Sequence, residues 1–185
     1  MARAHPISSI MTRKPIPFDE LLVKAHHLWA DQWLLLTSGD FAESRFNTMT
    51  VGWGSLGTMW GRPFAQVVVR PIRYTYEFMK RYDTFTLCAF PEDCRQALQL
   101  LGTKSGRDVD KIAEAGLMPI ASTQIAAPGF AEAELIIECR KIYWDDLDPA
   151  HFLDPDIERH YPQRTYHRIY FGQIVAIWGE RSCRA

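Results

Sequence analysis

Strand-like apolar runs, about six of them, dominate this 185-residue sequence and predict a mainly β fold, an antiparallel β-barrel carrying short inserted helices. Two observations carry that class. Segments such as "WLLLTSG", "PFAQVVVR" and "TFTLCAF" are rich in Leu, Val, Phe and Thr and are bounded by Gly, Pro or charged residues. The helical stretches between them do not alternate one for one with strands, as a doubly wound parallel sheet requires.

Taken in order, residues 1–16 hold proline and hydroxyl residues with little periodicity and read as an arm. "FDELLVKAHHLWADQ" has helical spacing and early acids, so a short helix is expected there. "WLLLTSG" is a strand ended by Gly39. "FNTMTVGWGSLG" and "PFAQVVVR" are the next two strands, with a loop around "TMWGRP". "TYEFMKRY" is a short helix and "TFTLCAF" a strand. "PEDCRQALQLLG" is a helix stopped at Gly102. "RDVDKIAEAGLMP" is another helix, with Gly116 closing it and Pro119 beyond. "ASTQIAAPGF" is a loop, "AEAELIIECRKIYW" and "TYHRIYFGQIVAIWG" are long strands, and "PDIERHYP" holds a turn of helix.

The length predicts one domain over 1–185, large enough to bury a core without staples. A formal net charge of −1 gives no general attraction to nucleic acid or an anionic membrane. The apolar stretches fall far short of a membrane span, and the N-terminal region has no continuous apolar signal segment. Cys88, Cys94, Cys139 and Cys183 are scattered without a C-x-x-C, so free thiols in a reducing cytoplasm are expected.

Three stretches carry chemistry. In "NTMTVGWG", alternation puts Thr48, Thr50, Gly52 and Gly54 on one face and Met49, Val51 and Trp53 on the other. A threonine and glycine face admits something flat close to the backbone, although an edge strand with a glycine bulge gives the same pattern. In "RPIRYT", Pro71 pushes Arg70 into an extended conformation, and Thr75 is the expected N-cap of a helix that Arg73 precedes. That arrangement suits a phosphate, and equally a capped helix with two solvated arginines. "GTKSGRDVDK" repeats the logic: Ser105 caps, Asp108 stands three residues on, Gly106 leaves room, and Lys104, Arg107 and Lys111 supply charge. Two such helix starts favour a shared anion. His26, His27, His160 and His167 lack metal-ligand spacing, and no P-loop, G-x-S-x-G or H-E-x-x-H is present. If the protein is an enzyme, a cofactor is therefore expected to carry the chemistry.

The ordered set N-x-M-T-x-G-W, R-P-x-R-Y-T and S-G-R-D-x-D-K resembles the flavin reductase-like family, close to its flavoredoxin branch. The likeness runs from about Trp33 to Leu117 and resumes at "YHRIYFGQIVAI"; the arm and residues 145–165 fall outside it. Gln173 stands where many relatives carry an acid. The resemblance implies an FMN-binding split β-barrel, usually a homodimer with flavin near the subunit interface. It implies that Asn47, Thr48, Met49 and Thr50, with Gly52 and Trp53 following, lie along the isoalloxazine ring and ribityl chain. Arg70, Arg73, Tyr74 and Thr75 fall at the phosphate end, joined by Ser105, Gly106, Arg107 and Lys111. The implied activity is hydride transfer from NADH or NADPH through FMN to a flavin or other acceptor. The alternatives are an FMN electron carrier reduced by a partner protein, and a binding module for another phosphorylated ligand.

Overall fold

The computed structural model describes residues 12–184. Of the expected arm, residues 1–11 lie outside the described residues. The rest is tied down: β1 (Lys14–Pro15) pairs with the last strand, and Ile16 is buried. The single helix expected over 18–32 is three short pieces: a 3-10 turn at Phe18–Glu20, α1 (Ala25–His27) and a wide π turn at Leu28–Gln32. Only Leu28 and Trp29 of this segment are buried, and two adjacent core anchors do not define a helical stripe.

β2 (Leu34–Asp40) follows. "FNTMTVGWGSLG" does not form one strand. It divides at Gly52–Trp53 into β3 (Arg45–Val51) and β4 (Gly54–Met59). The loop expected around "TMWGRP" contracts to a two-residue hairpin at Trp60 and Gly61, both at positive φ as such a turn requires, leading into β5 (Arg62–Val69). Next come α2 (Tyr74–Arg81), β6 (Thr84–Ala89), α3 (Arg95–Thr103) and α4 (Lys111–Ala115), the last closed by left-handed Gly116 as expected. α3 runs one residue past Gly102, where the stop was expected, because the Lys104 amide still reaches the Leu100 carbonyl. The small pair β7 (Pro119–Ile120) and β8 (Gly129–Phe130) precedes the long β9 (Leu135–Asp146) and β10 (Arg168–Gly179). The 3-10 turn at Pro155–His160 lies between these two, where helix was expected.

The main sheet runs β3-β2-β6-β9-β10-β5-β4, with every pairing antiparallel. One apolar cluster takes Met49 and Val51 from one end of that path, Ala65, Val67 and Val69 from near the other, and Leu34, Leu36, Phe85, Ile137 and Tyr170 from between. Strands at both ends share a core only if the sheet curls on itself, so the fold is a barrel. β3 and β4 do not pair with each other, and the barrel stays open along that seam. Strand alternation sends Leu35, Cys88 and Ile136 outward, where Leu98 and Leu101 of α3, with Phe90 and Phe130, bury them in a second cluster.

Gly54 shows how tightly the seam is built. A Cβ there would lie 2.4 Å from the Trp29 ring and 2.4 Å from the Gln66 carbonyl oxygen. Because Gln66 belongs to the backbone of β5, it cannot step aside as a side chain would. Gly54→Ala is expected to lower stability by about 1–3 kcal/mol, read from urea unfolding midpoints.

Candidate functional site

The seam holds a cleft of about 330 Å³ lined by Met49 to Trp53, Val68, Arg70, Arg73, His160 and His167. Its wall is the outer edge of β3. An edge strand directs alternate N–H and C=O groups away from its one partner, so this wall offers backbone donors and acceptors. A second hollow of about 390 Å³ is lined by Phe46, Asn47, Tyr74 and residues 106–112. The expected site residues are therefore split: Met49, Thr50, Gly52, Trp53, Arg70 and Arg73 around the cleft, and Asn47, Tyr74, Gly106, Arg107 and Lys111 around the hollow.

Much of the threonine and glycine face is taken up by the protein itself, and only Thr50 and Gly52 of it border the cleft. Thr48 is fully buried, accepting from the Thr37 hydroxyl at 2.9 Å and donating to the Leu36 carbonyl at 3.1 Å. The Thr50 hydroxyl donates to the Leu98 carbonyl at 2.6 Å, under α3. Gly52 and Gly54 sit against Trp29 and Trp33. The flat group that packs on the glycines of this face is the protein's own indole, and a ligand in the cleft would meet Thr50, Gly52 and the edge of β3.

Both expected caps are corrected. Thr75 is the second residue of α2 and is buried; Arg73 occupies the N-cap position, without a side-chain cap bond. The Thr75 hydroxyl is taken by Asn47 Nδ2, which donates to it at 2.7 Å. Ser105 caps no helix, because α4 starts at Lys111 and Asp110 caps it, accepting from the Ala113 amide at 3.1 Å. The Ser105 hydroxyl accepts from the Arg107 amide at 3.2 Å in a local turn, and Asp108 takes no part as a box partner. Gly106 is needed there: a Cβ would fall 2.2 Å from Asn47 Oδ1. Asn47 thus stitches β3 to α2 and to the 105–108 turn.

The basic residues separate into two kinds. Arg107 pairs with Glu77 and stacks over Tyr74 at 4.8 Å, and Lys104 pairs with Glu114. Arg70, Arg73 and Lys111 have no carboxylate within ion-pair reach among the described residues. Arg70 donates to the Thr165 carbonyl at 3.2 Å and hydroxyl at 2.6 Å. Arg73 donates to the Gly102 carbonyl at 2.9 Å, and buried Lys111 to the Leu101 and Lys104 carbonyls at 3.0 and 3.1 Å. Both therefore meet the C-terminal, electronegative end of α3. Burial, with the Arg73 charge second, draws the Lys111 pKa down to about 8.

His160, His167 and Tyr161 were missed, since metal spacing was the only test applied to the histidines. Residues 145–165, which lie outside the family likeness, bring His160 back against Trp53 with ring centroids 5.2 Å apart; His167 lies equally close to that ring. The Tyr161 hydroxyl meets His167 Nδ1 at 2.8 Å, and the Arg70 guanidinium lies 5.7 Å over the Tyr161 ring. The one legible signal was the position of His167 just ahead of the last strand, which starts at Arg168.

Burial, then Arg70 and Arg73, pushes the His167 pKa down to about 4. An unfolded histidine takes its proton near 6.5, so between about pH 6.5 and 4 the unfolded state binds a proton that the folded state refuses. Stability carried by neutral His167 is present above that window and is lost as pH falls through it. His167→Gln is expected to flatten this part of the melting temperature profile between pH 7 and 4.5.

The family model described as "Flavin reductase like domain" matches residues 29–184. No curated protein matches the sequence. Among solved structures, the FMN-binding domain of a flavin reductases-like enzyme from Shewanella baltica OS155 aligns with a TM-score of 0.66 at 16% identity, covering 93% of this chain and 79% of that one. The flavoredoxin of Desulfovibrio vulgaris (Miyazaki F) aligns at 0.64 and 21% identity, covering 88% and 75%. A protein with a split barrel domain from Shewanella frigidimarina NCIMB 400 aligns at 0.64 and 15% identity, covering 85% and 73%. At these identities the likeness carries the fold, which is the split barrel with its open seam. With the family match spanning most of its length, this chain belongs to the flavin reductase like domain family.

Proposed function

We propose that the protein binds FMN non-covalently and is an oxidoreductase, taking hydride from NADH or NADPH and passing electrons to a flavin or another acceptor. The observation that carries this reading is the seam cleft, walled by the outer edge of β3 and lined by Arg70 and Arg73, with Lys111 beside Arg73 at the end of α3 and none of the three paired to a carboxylate among the described residues. Its volume falls in the range of small-molecule sites. A flavin mononucleotide suits that donor set: a polar heteroaromatic edge for the amides of β3, and a phosphate for the cations. FMN, when bound, supplies the two-electron chemistry.

The chain's own work is then binding and electrostatics. Backbone donors along Met49–Gly52 hold the polar edge of the ring and stabilise the negative charge of its reduced form. Arg70, Arg73 and Lys111 hold the phosphate, and Trp53 walls the cleft from solvent. No side chain is required as an obligatory acid or base. The reading includes a cytoplasmic protein, consistent with four cysteines that are all buried and unpaired. Among the described residues no helix is long and apolar enough to cross a membrane.

The reading also includes a homodimer. Trp60, Tyr143 and Phe171 cluster with ring centroids 5.8–6.3 Å apart, and Trp60 and Tyr143 stay 61% and 44% exposed. A second copy would cover this apolar patch. An FMN electron carrier reduced by a protein partner is the second reading, supported by the fold shared with a flavoredoxin.

Arg73→Ala is expected to weaken FMN tenfold to a hundredfold, the value of a charge-assisted hydrogen bond of about 1.5–3 kcal/mol. Riboflavin, lacking the phosphate, should bind unchanged; equal losses for both ligands would sink the phosphate assignment. FMN affinity, unlike riboflavin affinity, should also fall as pH rises past about 8, where Lys111 gives up its proton. Anaerobic NADH or NADPH should bleach the flavin absorbance of a protein that scatters light as two chains. Reduction by neither donor leaves the carrier reading in place.

A further inference from the structure

Next to the cleft lies a larger hollow of about 650 Å³, reached across Gly52 and Trp53, which line both. Three indoles, from Trp29, Trp33 and Trp53, face it together with Ala25, His26 and Ala30. Among the described residues, no lysine, arginine, aspartate or glutamate lines it.

Trp33 is held there against its own backbone preference. It has φ 66° and ψ 161°, a region that is essentially glycine territory. Three contacts fix it. The Arg95 guanidinium lies 3.6 Å over its ring, Arg95 also donates to the Asp31 and Gln32 carbonyls that precede it, and the Trp33 indole N–H donates to the Ala30 carbonyl at 3.1 Å. A chain that only needed to enter β2 could do so through an unstrained residue. This one spends strain and a cation to keep an indole at the rim of the hollow. Trp53, which also lines the hollow, is 48% exposed.

We infer that this hollow is the subsite of the electron acceptor, and that the acceptor is an uncharged planar aromatic ring in the size class of a naphthoquinone. This rests on the flavin reading of the adjoining cleft. Indole faces bind flat π-systems by offset or edge-on stacking. The absence of ionic side chains in the lining disfavours a dinucleotide, whose phosphates need paired donors. A quinone seated beyond Gly52 adjoins the flavin cleft without occupying it. It would leave as the hydroquinone, having gained two electrons and two protons: a hydride that bound FMN, once reduced by the nicotinamide donor, would supply, and a proton from water.

The test is calorimetric titration of 1,4-naphthoquinone into flavin-free protein, followed by FMN titration of the same samples. Ala30→Trp and His26→Trp both start from exposed residues and fill the hollow from its solvent side. Each is expected to weaken naphthoquinone by about tenfold or more while leaving the FMN dissociation constant and the melting temperature unchanged. Absence of naphthoquinone binding to the parent protein, or equal binding to both variants, overturns the subsite. Failure of FMN to bind while naphthoquinone binds and is displaced as expected overturns the flavin reading and leaves the aromatic subsite standing.

Discussion

A barrel normally protects its backbone by closing, and this one does not. After Val51 the chain turns through Gly52 and Trp53 and places β4 at the far end of the strand path, so the outer edge of β3 has no partner strand among the described residues. Unpaired edge groups must find water, side chains or a ligand. The cleft assigned to function opens along that edge. Trp29 and Trp33 pack one side of the break, α3 covers Thr50, and the excursion after β9 returns His160 and His167 to the other side. What stays accessible is a strip of backbone between arginines, which gives a split barrel its reason to be split.

The charges near that strip serve two masters. Arg73 and Lys111 satisfy the last carbonyls of α3, an ordinary structural duty. Carbonyl oxygens carry only partial charge, however, and two full cations facing one helix end remain under-compensated. The depressed pKa values of Lys111 and His167 are both traced in part to neighbouring arginine. A carboxylate among them would relieve that repulsion at no cost in geometry, and the protein places its available acids, Glu77 and Glu114, on Arg107 and Lys104 instead. A field left positive in this way is what a dianionic phosphate would exploit.

The strands were legible because burial on the barrel side forces apolar alternation or continuous apolar runs. β2, β5, β6, β9 and β10 all stand where their sequences predict. The Gly116 cap was legible for a similarly local reason, since left-handed backbone is cheap only for glycine. The errors share a different cause. Whether Thr75 caps α2 depends on Asn47, which lies 28 residues away and claims the hydroxyl. Whether Ser105 starts a helix depends on the turn of Gly106 against that same Asn47, which delays α4 until Asp110. Local pattern cannot weigh a partner supplied by another element. His167 was overlooked for the same reason: its meaning comes from Arg70, Trp53 and Tyr161, none of which its own neighbourhood announces except Tyr161.

The stretch "RPIRYT" then resolves into more than a turn or an anion site. Pro71 sends the chain off the end of β5, and the Arg73 amide closes the turn on the Arg70 carbonyl at 3.0 Å. Arg70 is thereby aimed at the residue 145–167 excursion and Arg73 at the end of α3. One short turn thus ties two neighbouring elements to the end of β5. Replacing either arginine would alter the charge of the site and also loosen the wall it grips. That is why a ligand carrying a phosphate and one lacking it have to be compared on the same variant. Only the difference between them isolates the charge from the scaffold.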